Sequence, residues 1–394
     1  MNNDKEIITS IPIDNLSSSS DLTISPSNIS TSQLEKEPEN IISFPHLGSY
    51  YIPIKYIISK VTKCKILTPP LNNKNTITLG SKYSPNDICM PFKYNLGNYI
   101  YALEHGANIL IQAGGGCRYG YFAELQEQIL EDLGYNFTFV NLIKDNHVSI
   151  FKMYQFAKQI NPKLNIFSYF YYLIQGFLII IFMDKLNKYR RTHQALAINP
   201  EMFNIKHQKM LKTYSQNNLS IIKIFRIYHH FKKTYQQIPL TETNPNTIKI
   251  LLIGELYSLM DSAASNNLEE TLINEGIVVY RYTDLTYLLL TKRFRRRYIL
   301  HKSRKYLKYT LGADGAESIY HALQHSQNGI DGIIHIKSYS CVPEINAMPI
   351  LSKISEDYHV PILYLSFDGE NNISNIDTKL EAFYDMIKSK KTKQ

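Results

Sequence analysis

The strongest constraint on this chain is a rhythm. Short β-branched and aliphatic runs alternate with segments of helical period. In the first half the runs are Cys64–Pro70 (CKILTPP), Ala107–Ala113 (ANILIQA) and Asn136–Leu142 (NFTFVNL). In the second they are Thr247–Glu255 (TIKILLIGE), Gly276–Tyr282 (GIVVYRY), Asp331–Lys337 (DGIIHIK) and Pro361–Phe367 (PILYLSF). Their nearly continuous apolar character suits parallel strands covered on both faces. After ANILIQA, the residues Phe122, Leu125, Ile129 and Leu133 fall on one predicted helical face. Strand–helix alternation of this kind implies an α/β chain with two lobes, each built on a parallel sheet.

The remaining segments set the boundaries. The chain has 394 residues, enough for two or three domains with ample core. Residues 1–40 are dominated by Ser, Asn and Thr through Ser32, including a run of four serines at Ser17–Ser20. Single, unperiodic apolar residues cannot offset ordering entropy, so a disordered tail is expected there. It lacks the basic region and apolar run of a secretory signal. The first lobe is expected over 41–147, a strand-poor helical segment and linker over 148–245, and the second lobe over 246–394. Within the middle, Gln236–Asn246 (QQIPLTETNPN) reads as the linker proper. The lysines of Lys388–Gln394 are expected to form a frayed helix end. Asn165–Met183 (NIFSYFYYLIQGFLIIIFM) is 19 residues without a charge, close to a bilayer span. It carries Asn165, Ser168, Gln175 and Gly176 and stands alone between two α/β patterns, so a buried helix is expected and no membrane partner.

Ligands of open parallel sheets bind beyond the carboxyl ends of the strands. Three cysteine motifs flank such ends. In Gly114–Tyr135 (GGGCRYGYFAELQEQILEDLGY), glycines allow a tight turn, and Cys117 stands just before a helix start. Amide groups there and Arg118 are expected to lower its thiol pKa. A Gly-rich strand-to-helix turn with a buried cysteine fits the same pattern, and the absence of GxGxxG removes the dinucleotide fingerprint. In Ser84–Asn98 (SPNDICMPFKYNLGN), Cys89 precedes Pro91, an ordinary helix-start residue. In Ser338–Leu351 (SYSCVPEINAMPIL), Cys341 precedes Pro343 and Glu344, where a glutamate stabilises a first helical turn with no further role. Glu255 leaves TIKILLIG in the same way. Two lobes offering the same sheet edge to each other would form a cleft.

The chain holds four cysteines, too few for a disulfide framework, and no CxxC pair. Three thiolates from separated loops suit an iron–sulfur cluster with one iron lacking a cysteine ligand. Zinc with an open position or a His ligand is equally consistent with three such residues, because their spacings match no short metal motif. Cys64 sits in a predicted strand and is expected to be a buried structural cysteine.

As a set, SFPHLGSYYIPIK, CMPFKYNLGN, GGGCRYGYFAELQEQILEDLGY, IGELY and DGIIHIKSYSCVPE with the following LYLSFD resemble the 2-hydroxyacyl-CoA dehydratase family (2-hydroxyglutaryl-CoA dehydratase D-component), in particular its CoA-protein-activase-related branch. The resemblance runs from about Ser43 to the end and is weak through the helical middle. It implies two Rossmann-like lobes clasping one [4Fe–4S] cluster, with Cys89, Cys117 and Cys341 as its ligands on this chain. It makes Arg118, Glu255 and Glu344 candidates for substrate contact or catalysis. It also implies a lyase-like, one-electron (ketyl radical) dehydration or reduction of an acyl-CoA-type substrate in the cytoplasm. Electrons would come from a separate ATP-dependent activator, since no GxxxxGK[ST] motif occurs here. Characterised members pair two related subunits, so a related second subunit or a homodimer is expected. The polar N-terminal segment lies outside the family pattern. The alternative is a non-catalytic cluster-bearing electron carrier or accessory protein.

Charge supplies a further alternative. Against 34 Asp+Glu stand 43 Lys+Arg, a net +9. Lys292–Lys308 (KRFRRRYILHKSRKYLK) holds nine Lys/Arg and no acid, so the rest of the chain is nearly neutral. The segment suits a nucleic-acid surface, acyl-CoA phosphates or an acidic redox partner. A solvated helix with one packed face is the plainer reading, and no nucleic-acid-binding motif accompanies the patch.

Overall fold

Two parallel four-stranded sheets organise the chain in the computed structural model, which describes residues 39–114, 117–144, 147–241, 247–368 and 373–392. The expected N-terminal tail lies outside the described residues except for Glu39 and Asn40. The first lobe runs β1 (Ile41–Ser43), α1 (Tyr51–Thr62), β2 (Lys65–Ile66), α2 (Lys74–Tyr83), α3 (Met90–Glu104), β3 (Ile109–Gln112), α4 (Phe122–Asp132) and β4 (Thr138–Asn141). A short antiparallel pair, β5 (Ile143–Lys144) and β6 (His147–Val148), follows. The helical middle comprises α5 (Ile150–Ile160), α6 (Ile166–His193), α7 (Glu201–Tyr214) and α8 (Ile221–Gln236). The second lobe runs β7 (Lys249–Gly254), α9 (Leu256–Met260), α10 (Leu268–Asn274), β8 (Val278–Tyr280), α11 (Lys292–Lys302), α12 (Gly315–Gln327), β9 (Gly332–Ser338), α13 (Val342–Tyr358), β10 (Ile362–Phe367) and α14 (Ile373–Thr392).

The sheet orders are β2-β1-β3-β4 and β10-β9-β7-β8, so the strand–helix rhythm does produce two parallel-sheet, Rossmann-like lobes. All seven apolar runs contain a strand. The reading missed β1, which is three residues long yet sits between β2 and β3, where pairing on both sides makes it a strand. On α4 the buried line is Phe122, Gln126 and Leu130, with Leu125 and Ile129 at its flank and Leu133 exposed. Gln126 is held inside because its amide donates to Phe92 O at 3.2 Å.

Two other expectations are corrected, on Cys64 and on the C-terminal lysines, and the linker is seen in part. Cys64 precedes β2 and is half-buried; its thiol faces Thr62 O at 3.8 Å. The described part of the linker is pinned: Thr241 N donates to Leu196 O at 2.7 Å and Ile198 N to Pro239 O at 3.1 Å. Residues 242–246 lie outside the described ones. The C-terminal lysines are not frayed through Thr392: Lys391 pairs with Asp331 at 2.9 Å and donates to Thr247 O at 2.7 Å.

The long uncharged segment forms the N-terminal two-thirds of α6. By length and composition the helix could cross a membrane, but 44% of its most apolar window is buried within the protein. Ile179, Phe182, Met183 and Leu186 pack against Ile52 and Tyr56 of α1 and against α7 and α8. Gln175, buried mid-helix, donates to Leu219 O at 2.5 Å and accepts from Tyr56 OH at 3.0 Å.

Residues 39–394 form one compact unit, and buried polar groups join its lobes. The carboxylate of Asp261 accepts from Gly48 N at 2.9 Å and Asn72 Nδ2 at 3.0 Å. Asn98 Nδ2 reaches Asn72 Oδ1 at 2.8 Å, extending this chain of bonds into α3. Each such group was taken out of water and is stable there only because it is paired.

Candidate metal centre between the lobes

Each of the three predicted cysteines caps the start of a helical turn. Cys89 is the N-cap of α3 and Cys341 of α13, and both helices carry proline in the first turn. Cys117 is the N-cap of a short 3₁₀ turn, Arg118–Tyr121, and its Sγ accepts from Tyr119 N at 3.5 Å. Gly115 and Gly116, which lead into it from β3, lie outside the described residues. Close packing of α3 on α2 fixes the first cap: a Cβ on Gly97 would stand 2.1 Å from Thr76 O, so only glycine fits.

Hydrogen bonds tie the three turns together. Met90 N, next to Cys89, donates to Ser338 Oγ at 2.8 Å at the end of β9. The exposed Arg118 donates from Nη2 to Ser340 O at 2.9 Å, bridging the Cys117 turn of one lobe to the Cys341 turn of the other. Asn95 Nδ2 donates to Tyr119 OH at 2.5 Å within the first lobe. The thiols are close enough to feel each other: the Cys117 sulfur raises the pKa of both Cys89 and Cys341. All three are free and half-buried.

On top of burial, the Glu255 charge raises the pKa of all three thiols. This residue is the N-cap of α9, accepting from Tyr257 N at 3.2 Å and from Ser258 Oγ at 2.5 Å. Gly254 puts it there: its φ of +133° takes β7 out of the strand, and a Cβ would meet Ile336 O at 1.8 Å. Burial pushes the Glu255 carboxyl up to about 7. After burial itself, Glu255 is the strongest influence raising the Cys89 and Cys341 pKa values.

The expected low thiol pKa at Cys117 is overturned. Burial raises it, and the charges of Glu255 and Asp314 add to that; the Tyr119 amide and Arg118 only partly offset them. Burial likewise pushes Cys89 up to about 12 and Cys341 higher still. In the metal-free chain these are thiols. They become thiolates when a cation is bound, with release of their protons.

Glu344 is turned inward. Its Oε2 lies 2.7 Å from His335 Nε2, and its Oε1 accepts from Ser318 Oγ at 3.2 Å, all deep in the second lobe. It braces the first turn of α13 behind Cys341. Sequence reasoning missed its partners, although His335 and Lys337 were visible as two polar residues inside a central strand. Both are buried in β9, and Lys337 Nζ donates to Tyr339 O at 3.2 Å. It also missed Asp314, whose carboxylate receives Lys292 Nζ at 2.6 Å.

Among the described residues, no His/Cys/Asp/Glu group gathers closely enough to hold a metal ion ready-made. Three free cysteines as candidate donors match the thiolate chemistry of an iron–sulfur cluster, as they do that of zinc.

The basic segment is a second surface. Lys292, at the start of α11, points in toward Asp314 and Glu317, whereas Arg293, Arg296, Arg297, Lys302, Arg304 and Lys308 are exposed. Ile299 and Leu307 are its packed positions; Phe294 is 83% exposed.

Fold and site together define a two-lobed α/β protein whose three cysteine-bearing helix starts are joined by hydrogen bonds across the lobes. No family model matches the chain, and no curated protein does.

Proposed function

We propose that the chain is an iron–sulfur protein of the 2-hydroxyacyl-CoA dehydratase type, with Cys89, Cys117 and Cys341 holding a [4Fe–4S] cluster in the cleft. One observation carries the reading: three cysteines, two from one lobe and one from the other, stand at helix starts that hydrogen bonds tie together, Met90 N to Ser338 Oγ and Arg118 Nη2 to Ser340 O. Such a cluster supplies low-potential single electrons, the chemistry that dehydration or reduction of an unactivated acyl-CoA requires.

The chain's own groups have separate parts. With a pKa near 7, Glu255 holds a proton that it can give or take at neutral pH, and Ser258 and the Tyr257 amide fix its direction. Arg118 holds the Ser340 carbonyl and, being exposed, has further N–H groups for an anionic substrate group at the cleft mouth. Glu344 acts as a positioning residue through His335 and Ser318. The electron donor in this proposal is a separate ATP-dependent activator, and the compartment is a reducing cytoplasm.

Anaerobic purification, reconstitution and iron and sulfide analysis test the cluster; about four of each per chain are expected. Turnover of a 2-hydroxyacyl-CoA with a competent activator then tests catalysis. A full cluster without turnover supports the accessory or electron-carrier role instead.

A further inference from the structure

The basic segment turns most of its cations outward. On α11, Lys292, Arg295 and Ile299 recur at i, i+3 and i+7 and form the packed side, whereas Arg293, Arg296, Arg297 and Lys302 are exposed. Arg304 and Lys308, just beyond the helix, are exposed as well. The nearby carboxylates are already taken. Asp314 and Glu317 face Lys292 at 2.6 and 3.9 Å, and Asp357 pairs with Lys305 at 3.4 Å and Lys353 at 3.1 Å. Among the described residues none of the six exposed cations forms an ion pair, so their charge is uncompensated. Apolar side chains stand among them. Phe294 is 83% exposed, and Leu289 and Leu290, in the turn before it, are exposed too. That turn, Tyr287–Thr291, is π-helical, an irregularity that recurs at functional sites. Tyr287 stays buried on its inner side while the two leucines face out.

We propose that this face of α11 docks the protein on an anionic lipid surface. Phe294, Leu289 and Leu290 enter the boundary between headgroups and acyl chains, and the six cations meet lipid phosphates and carboxylates. Charge complementarity selects an anionic partner, since a cluster of Lys/Arg on one helix is drawn to the negative face of a bilayer. The exposed aliphatic side chains then select among anionic partners. Single-stranded nucleic acid stacks its bases on aromatic faces and has no use for leucine. The Tyr298 ring is moreover already flanked by the Arg295 guanidinium at 5.8 Å and by Lys302 Nζ at 5.8 Å. A lipid surface uses both kinds of side chain, cations at the headgroups and phenylalanine and leucine beneath them. The inference is independent of the cluster and of its chemistry.

Co-sedimentation of the full chain, purified anaerobically, with sucrose-loaded vesicles tests it. Phosphatidylcholine vesicles containing about a third phosphatidylserine are expected to bind the chain about 100-fold more tightly than pure phosphatidylcholine, and salt is expected to release it. Each cation close to such a surface contributes about fivefold, so Arg293→Gln/Arg296→Gln/Arg297→Gln is expected to weaken binding about 100-fold. Phe294→Ser is expected to weaken it about tenfold. All four side chains are exposed, so circular dichroism is expected to stay unchanged. Absence of binding to the phosphatidylserine vesicles overturns the proposal, and so does equal binding to both kinds or binding indifferent to the triple variant. Binding abolished by Phe167→Glu/Phe170→Glu, two exposed residues of α6, also overturns it, because the contact would then lie on that helix. Vesicle binding unchanged by Phe294→Ser, with single-stranded polyuridylate bound more weakly by the same variant, overturns it in favour of nucleic acid.

Discussion

The two lobes share a sheet plan but contribute different things to the cysteine site. The first lobe has strands of two to four residues, supplies two cysteines, and buries neutral amides: Asn95, Asn98, Gln112 and Gln126. The second has strands of up to seven residues, supplies one cysteine, and brings the buried ionisable groups: Glu344, His335, Lys337 and the Asp314–Lys292 pair, with Glu255 raising the pKa of all three thiols. One lobe is chiefly a source of thiols. The other sets the local field. Such groups are kept inside by their partners: Glu344 meets His335 Nε2 and Ser318 Oγ, and Asp314 meets Lys292.

The largest test of this division is ligand deletion. Cys89→Ala, Cys117→Ala and Cys341→Ala should each abolish stable cluster binding, irrespective of lobe, whereas Cys64→Ala should retain it; iron per chain is the measurement. Next comes the charge system. Glu344→Ala strips His335 and Ser318 of their partner, and should cost about 3–5 kcal/mol in urea unfolding. A smaller loss there would mean that the second lobe's charges are not structural.

Glu255 gives a pH signature in the cluster-free protein. Its folded pKa of about 7 lies above the ordinary 4.5, so the folded chain holds this proton more tightly than the unfolded one. Stability from this group is complete below about pH 4.5 and is lost as pH rises through 7, by up to about 3 kcal/mol. Glu255→Gln should flatten that part of the profile; an unchanged profile would place the carboxyl in contact with water. The smallest effect belongs to the amide side. Gln126→Ala removes one neutral bond to Phe92 O and should cost about 1–2 kcal/mol. A loss equal to that of Glu344→Ala would erase the contrast between lobes.

Much of this was legible in the sequence, for local reasons. Apolar runs of six or seven residues announce buried parallel strands, and proline or glycine beside Cys89, Cys117 and Cys341 announces helix starts. What was hidden depends on distant partners. β1 is a strand only because β2 and β3 flank it. Gln126 reads as a surface residue until the Phe92 carbonyl is opposite it. The Cys117 pKa was judged from Arg118 and the helix amides, yet burial and the remote Glu255 and Asp314 reverse it. His335 and Lys337 were readable as polar residues in a central strand, but not which groups would satisfy them.

Whether thiols of both lobes hold one cluster, as proposed, is read from electron paramagnetic resonance of the anaerobically reconstituted, dithionite-reduced protein. The account predicts the signal of a single reduced [4Fe–4S] cluster, close to one spin per chain, in the wild type and its loss in Cys117→Ala and in Cys341→Ala. A wild-type protein that is silent, with no more iron than Cys117→Ala, would contradict it.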